Sequence, residues 1–163
     1  MLNLRTATEH DVPLILQFIR DLAEYERLLD ACVATEESVR ETLFGERRYA
    51  EVLIAEHDGQ PAGFALFFHN YSTFLARPGI YLEDLYVRPE LRGHGIGKAL
   101  LARLAALAVE RKCGRLEWAV LNWNESAIQF YRSLGALPQN EWTVYRVTGE
   151  ALERLADRRR PAG

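Results

Sequence analysis

Two spacings of apolar residues alternate along this chain, one of three to four residues and one of two. The first predicts helices, because residues three and four apart share a face of an α-helix. It begins after Thr8, a residue type that caps helices, and runs through Val12, Ile15, Phe18, Ile19, Leu22 and Tyr25. A second helix is predicted to start at Thr35 and to end at Gly45. An Ala- and Leu-rich run, 96–111, predicts a third helix, since both residues favour helices.

Apolar runs of the second kind are bounded by turn residues and predict strands. Six such runs occupy 2–5, 49–56, 62–71, 80–87, 116–121 and 142–147. The tetrapeptide 57–60 contains Asp-Gly, which readily takes the positive φ of a tight hairpin. Two more helices are predicted, at 125–134 and after Thr148. The order β-α-α-β-β-β-α-β-α-β-α therefore predicts an α/β fold, with helices on the faces of a mixed sheet.

The chain of 163 residues has an ordinary globular composition, with 48% hydrophobic and 26% charged residues. It shows no repeat and no Gly-, Ser- or Pro-rich linker, so a single domain over residues 1–163 is predicted. The net charge of -3 argues against a nucleic-acid partner, which a basic excess would favour. The basic residues 158–160 are interpreted as a solvated tail.

Cysteine and histidine usage favours a reduced, metal-free protein. Cys32 and Cys113 are far apart and lack the spacing of metal ligands, which is typical of packing cysteines in a cytoplasmic protein. The four histidines also lack ligand partners at a metal spacing: His10, His57, His69 and His94. The opening residues lack the pattern of a signal peptide, and no apolar run approaches the roughly 18 residues of a membrane span. No membrane partner is expected.

The most informative segment is 92–98, which follows a predicted strand and is rich in glycine. Its three glycines allow the backbone to aim several N–H groups at one point, and the helix that begins there adds free N–H groups. With the charges of Arg92 and Lys98, this favours a phosphate or diphosphate site over a glycine-rich turn without a ligand. A P-loop would carry Ser or Thr where Ala99 stands, and a dinucleotide fingerprint would have the spacing G-x-G-x-x-G rather than G-x-G-x-G.

The hexapeptide 92–97, Arg-Gly-His-Gly-Ile-Gly, resembles the coenzyme A motif R/Q-x-x-G-x-G/A of the GNAT N-acetyltransferases. The predicted order of elements is similar to that family over nearly the whole chain. Four further stretches resemble the diamine (spermidine/spermine) and thialysine acetyltransferases within it: 25–26, 81–87, 123–125 and 130–132. The resemblance implies an enzyme that transfers the acetyl group of acetyl-CoA to a primary amine of a small molecule.

The resemblance also implies which residues hold acetyl-CoA, with no metal involved. Backbone groups of three strand residues would hold the pantetheine arm as an added strand does: Leu85, Tyr86 and Val87. The diphosphate would lie on Arg92, Gly93, His94, Gly95, Ile96, Gly97 and Lys98. The other side of the cofactor would be lined by Asn124, Glu125, Ser126, Ala127 and Arg132.

An alkyl amine has a pKa of about 10.4, so the enzyme must bind a cation and remove a proton before attack on the thioester carbon. Carboxylates suit both tasks. The resemblance implies an amine pocket formed by Tyr25, Glu26, Glu83, Asp84 and Glu141, with Glu83 at the reacting amine. In a regular strand Glu83 and Asp84 point to opposite faces, so only one faces the reacting centre directly. The alternatives are a structural ion pair or cap for these carboxylates and an exposed helix end for Tyr25 and Glu26.

Tyr131 follows Phe130, and at helical spacing such a pair is more typical of core packing. The resemblance implies instead that its phenol is the general acid for the leaving thiolate. Direct attack in a ternary complex is expected, because Cys113 lies at a predicted helix end, where packing is the usual role. Two alternative functions stay open: a non-catalytic acetyl-CoA sensor, and an acetyltransferase for a protein N-terminus or lysine. The resemblance also implies a homodimer.

Overall fold

Five strands in the first part of the chain form one sheet. They are β1 (Leu2–Thr6), β2 (Glu51–His57), β3 (Gln60–Ser72), β4 (Arg77–Val87) and β5 (Leu116–Trp118), and they neighbour each other in that order. The first four are antiparallel, whereas β5 runs parallel to β4. The predicted hairpin between β2 and β3 is confirmed, with positive φ at Asp58 (51°) and Gly59 (79°). The sheet is therefore mixed, as predicted.

The computed structural model describes residues 1–158, so Arg159 and Arg160 of the predicted tail lie outside the described residues. Two compact units make up the chain, Met1–Leu121 and Asn122–Gly163. The helices are α1 (Val12–Tyr25), α2 (Glu36–Phe44), α3 (Ile96–Glu110), α4 (Glu125–Ser133) and α5 (Gly149–Asp157). No helix among these residues is long and apolar enough to span a membrane.

The ends of the helices follow the capping residues that the sequence carries. Thr35 caps α2, where its hydroxyl accepts a hydrogen bond from the backbone N of Ser38 at 3.1 Å, and Gly45 ends the helix. Thr148 occupies the N-cap position of α5, as predicted, but its side chain makes no capping hydrogen bond. Thr8 instead precedes a short 3-10 turn, Glu9–Asp11, so that α1 begins four residues after the predicted cap.

Helices cover both faces of the sheet. On one face, α1 and α2 bury Ala7, Val12, Ile15, Leu16, Phe18, Val39, Leu43, Val52, Ile54, Phe64 and Tyr86. The rings of Phe18 and Phe64 stack there, with centroids 5.3 Å apart. On the other face α3 packs against β3 and β4, and its Leu100 and Leu104 are fully buried. Burial of these apolar side chains is the main favourable term that holds the helices on the sheet.

The last predicted strand, 142–147, is the one element that the structure does not form. This segment is neither helix nor strand, and its apolar side chains face solvent, with Trp142 78% and Tyr145 92% exposed. A strand needs a neighbour for its backbone groups, and alternating apolar residues cannot supply one. For the same reason β5 ends at Trp118, three residues short of the predicted 116–121.

Arg5 on β1 ties the sheet to the turn before α1. Its two Nη nitrogens each donate to a carboxylate oxygen of Asp11 at 2.8 Å, and its Nε donates to Glu56 at 2.7 Å. Asp11 also accepts from the backbone N of Thr8 at 2.7 Å. The bond from Arg5 is the main cause that lowers the pKa of the buried Asp11. A buried carboxylate with this many donors is compensated for its lost hydration.

Replacing Asp11 by Asn should lower the free energy of unfolding at pH 7 by about 2–4 kcal/mol, since the guanidinium of Arg5 loses the carboxylate that it binds with both Nη nitrogens and keeps only Glu56. Because the folded-state pKa of Asp11 lies below its ordinary 3.8, its contribution is present above that value and is lost as the pH falls. Urea denaturation should therefore show that the difference in free energy of unfolding between the wild type and Asp11→Asn becomes smaller below about pH 4. The exposed Asp30→Asn is the control, with an expected change of less than about 0.5 kcal/mol. A stability difference between the wild type and Asp11→Asn that stays the same at low pH would contradict a lowered pKa of Asp11.

Candidate active site

β4 changes its register with β3 at Glu83. Leu66 lies opposite Asp84 and Phe67 lies opposite Leu82, so Glu83 is the additional residue of a β-bulge. Leu82 and Asp84, which strict alternation would place on one face, therefore lie on opposite faces. Asp84 joins the row of Leu66 on the face that α1 covers, and Glu83 is exposed. The alternation that the sequence analysis assumed for this strand is wrong across the bulge.

β5 accompanies β4 only along its first half. The ladder joins Ile80, Tyr81 and Leu82 to Leu116, Glu117 and Trp118. Beyond Leu82, no strand within residues 1–158 pairs with this side of β4. A sheet edge without a neighbouring strand can bind an extended ligand as an added strand does, although the Val87 carbonyl here already accepts a hydrogen bond from Nε of Arg92 at 3.0 Å. This open stretch contains 85–87, the residues predicted to hold the pantetheine arm.

The glycine-rich segment lies between the end of β4 and the start of α3. Gly93 and Gly95 have φ of 83° and 78°, a backbone region that favours glycine. A Cβ at either position would meet no atom within 4 Å, so the loop faces open space. Gly95 caps α3, whose first-turn N–H groups are free of helical partners. These features fit a diphosphate, because the donors converge where a helix N-terminus is positive.

The glycine-rich segment itself carries three polar side chains, those of Arg92, His94 and Lys98. Lys98 is exposed in the first turn of α3. Nδ1 of His94 lies 3.1 Å from the carbonyl of Leu91 and 3.2 Å from that of Arg92, so this nitrogen carries the hydrogen. The guanidinium of Arg92 lies over the ring of Tyr25 at 4.8 Å. This stacking was missed from the sequence, because the two residues are far apart along the chain.

A cavity of about 200 Å³ lies beside the open stretch of β4. It is lined by Ile19, Leu22, Ala23, Glu26, Leu28, Ala31, Cys32 and Asp84. Burial, followed by the charges of Glu83 and Glu26, raises the pKa of Asp84 to about 6. Burial and the charge of Glu83 also raise the pKa of Glu26. Within residues 1–158 no cation forms an ion pair with these three carboxylates, so the cluster suits a positively charged ligand.

A wider groove of about 610 Å³ lies between the β3–β4 turn and the end of α3. Its lining is basic and has no carboxylate: Ala76, Arg77, Pro78, Val109, Arg111, Lys112 and Cys113. An amine cation would be repelled there, and none of the predicted site residues belongs to it. The smaller, acidic cavity is therefore the candidate amine site.

The remaining predicted residues lie in the second unit. Asn124 caps α4, where its side-chain oxygen accepts hydrogen bonds at 3.4 Å from the backbone N of Ala127 and from the hydroxyl of Ser126. Tyr131 lies on the same helix, with its ring centroid 5.6 Å from that of Phe130. The exposed Glu141 precedes α5. The roles of these residues, and of Glu125 and Arg132 on α4, stay predictions.

Among residues 1–158, no group of three or more His, Cys, Asp and Glu side chains is arranged to hold a metal ion. Both cysteines are free and partly buried.

Replacing Asp84 by Asn should raise the free energy of unfolding at pH 8, by on the order of 2 kcal/mol. A folded-state pKa of about 6, above the ordinary 3.8, means that folding disfavours the charged form. The loss of stability that the ionised Asp84 causes therefore develops as the pH rises from about 4 to about 6, and it is constant above that range. Urea denaturation of both proteins from pH 4 to pH 8 measures it.

The control is Glu37→Gln on the exposed face of α2, which should bring no gain in stability. Equal stability of wild type and Asp84→Asn at pH 8 would show that the carboxylate at this position is well solvated.

The geometry agrees with what comparison with known proteins finds. The chain matches the sequence model of the acetyltransferase (GNAT) family over residues 17–136. It is 42% identical over 164 residues to the thialysine N-ε-acetyltransferase of Bos taurus, covering 94% of this chain and 96% of that protein. It is 34% identical over 198 residues to the L-ornithine N5-acetyltransferase of Arabidopsis thaliana, covering 94% and 87%. A solved integron cassette protein from the mobile metagenome of V. cholerae has a TM-score of 0.80 at 27% identity, covering 95% and 97%.

The chain therefore belongs to the GNAT family of acetyltransferases, and it is an N-acetyltransferase enzyme. The family that the sequence resembles is confirmed, as is the predicted α/β fold class.

Proposed function

We propose that this enzyme transfers the acetyl group of acetyl-CoA to a primary amine of a small molecule of the lysine-like, ornithine or polyamine type. The observation that carries the proposal is the position of Asp84, which lies on β4 and lines an acidic cavity. The same strand leads within a few residues into the glycine-rich loop. An amine site and an acyl-donor site are thus built on consecutive residues of one strand.

Acetyl-CoA supplies an acetyl thioester to this site. The free N–H groups at the start of α3 suit its diphosphate, with the charge of Lys98 on the same turn. The backbone of 85–87, on the side that has no neighbouring strand, suits the amide groups of the pantetheine arm, apart from the Val87 carbonyl that accepts from Nε of Arg92. Within this stretch, an N–H group of β4 would also stabilise the oxyanion that develops on the acetyl carbonyl oxygen.

The carboxylates of Glu26, Glu83 and Asp84 suit the amine. A primary ammonium group with a pKa of about 10.4 binds to them as a cation, and its charge relieves their mutual repulsion. The exposed Glu83 then takes a proton from the ammonium group, directly or through water. The cavity of about 200 Å³ matches a small amine rather than a folded protein surface.

Transfer then proceeds by direct attack. The amine nitrogen forms a C–N bond with the acetyl carbon, and the C–S bond of the thioester breaks. The second amine proton leaves through the carboxylates, and the thiolate takes a proton from the phenol of Tyr131. Support for Tyr131 comes from the family motif in 130–132. The homodimer that the family resemblance implies is likewise proposed, and a sedimentation experiment would test it.

Amine specificity can be tested by following coenzyme A release from acetyl-CoA with thialysine, lysine, ornithine, putrescine, spermidine and a short peptide. We expect turnover on at least one of the small amines and little on the peptide, because the acidic cavity is small. Turnover that is fastest on the peptide would replace this proposal with a protein acetyltransferase. Tight acetyl-CoA binding without turnover on any amine would instead favour the sensor.

Tyr131→Phe removes only the hydroxyl and should lower kcat by about 10²–10⁴-fold, the usual contribution of a general acid. The Kd for coenzyme A should stay within about twofold, since the phenol acts on the leaving group and not on the diphosphate. Tyr145→Phe, in the segment before α5, is the matched control and should keep full activity. Unchanged turnover in Tyr131→Phe would rule out this acid.

A further inference from the structure

The guanidinium of Arg92 lies over two aromatic rings that belong to different elements. Its carbon Cζ is 4.8 Å from the ring centroid of Tyr25 and 5.8 Å from that of Tyr86. Its Nε donates to the carbonyl of Val87 at 3.0 Å. One side chain thus joins the last residue of α1, the end of β4 and the first residue of the glycine-rich loop.

These three contacts of Arg92 fix the backbone at the point where the glycine-rich loop leaves β4. Arg92 directly precedes Gly93, whose positive φ begins the turn that aims the N–H groups. Tyr86 is buried and cannot shift easily, whereas Tyr25 is 39% exposed at the end of its helix. Tyr25 therefore supplies the more exposed of the two rings, and a planar cation over an aromatic face is attracted to it.

The same end of α1 also belongs to the amine cavity. Glu26 follows Tyr25 directly, caps α1 and lines the cavity together with Asp84. A cation bound to Glu26 would order the end of this helix, and with it the ring that covers Arg92. The end of α1 therefore connects the two candidate subsites: Tyr25 contacts Arg92 of the loop, and Glu26 lines the amine cavity.

We propose that the stack of Tyr25, Arg92 and Tyr86 couples the amine site to the acyl-donor loop, with Tyr25 as a positioning residue for that loop. The inference rests on the proposed function, because it requires that coenzyme A binds there. Since coupling between two sites is reciprocal, an amine that orders Tyr25 tightens donor binding, and a bound donor tightens amine binding to the same degree.

The experiment is isothermal titration of the protein with coenzyme A, first without amine and then with saturating ornithine. Ornithine should lower the Kd for coenzyme A in the wild type and leave it unchanged in Tyr25→Leu, and an equal effect on both proteins would refute the coupling. The variants are compared without amine. Tyr25→Leu removes the aromatic face and should raise the Kd by about 3–10-fold, whereas Tyr25→Phe keeps the face and should stay within about twofold. Arg92→Lys keeps the charge but loses the planar stack and the Nε bond. In the double variant Tyr25→Leu with Arg92→Lys, the loss should not exceed that of Arg92→Lys alone, because both changes break one interaction.

Tyr71→Leu is the matched control, since Tyr71 is an exposed tyrosine of β3 outside both subsites. Thermal unfolding of each variant checks that the fold is retained. A wild-type Kd in Tyr25→Leu would overturn the inference, as would a loss in Tyr25→Phe equal to that in Tyr25→Leu, or fully additive losses in the double variant. Absence of coenzyme A binding by the wild type would refute the proposed function itself, so the two failures are distinguishable.

Discussion

The unequal pairing of β4 on its two sides is the constraint on which the site depends. β3 pairs with β4 almost from end to end, while β5 leaves it after Leu82. One side therefore holds the strand in the sheet, and the other has no neighbouring strand beyond Leu82. The bulge at Glu83 falls one residue after this point and turns Asp84 toward α1. The edge predicted to hold the cofactor and the position of Asp84 in the acidic cavity both follow from this one place in the strand.

Two carboxylates of the first unit, Asp11 and Asp84, have opposite electrostatic environments. Asp11 and Asp84 are both shielded from water, but Asp11 meets a bidentate guanidinium, whereas Asp84 faces two further carboxylates. Their pKa values consequently move in opposite directions. Asp11 has its cationic partner within the fold, whereas none of the ion pairs within residues 1–158 includes Asp84. A carboxylate in the environment of Asp84 is what the proposed amine site requires.

The aromatic residues of the first unit connect core and site in one continuous row. Phe18 stacks on Phe64 and contacts Tyr86, and Tyr86 lies under the guanidinium of Arg92. The core that holds α1 on the sheet therefore extends without a break to the glycine-rich loop. A rigid core beneath the loop is what a precise array of N–H donors requires.

Local chemistry explains what the sequence by itself determined. Thr35 and Gly45 bound α2, Asp-Gly made the β2–β3 hairpin, and the glycines of 92–97 indicated the loop and the family resemblance, because each acts within a few residues of its own position. The bulge at Glu83, the early end of β5 and the stack on Arg92 depend on residues distant in the chain, and only the tertiary structure decided them. The segment 142–147 has the alternation of a strand without becoming one, since a strand also needs a neighbour.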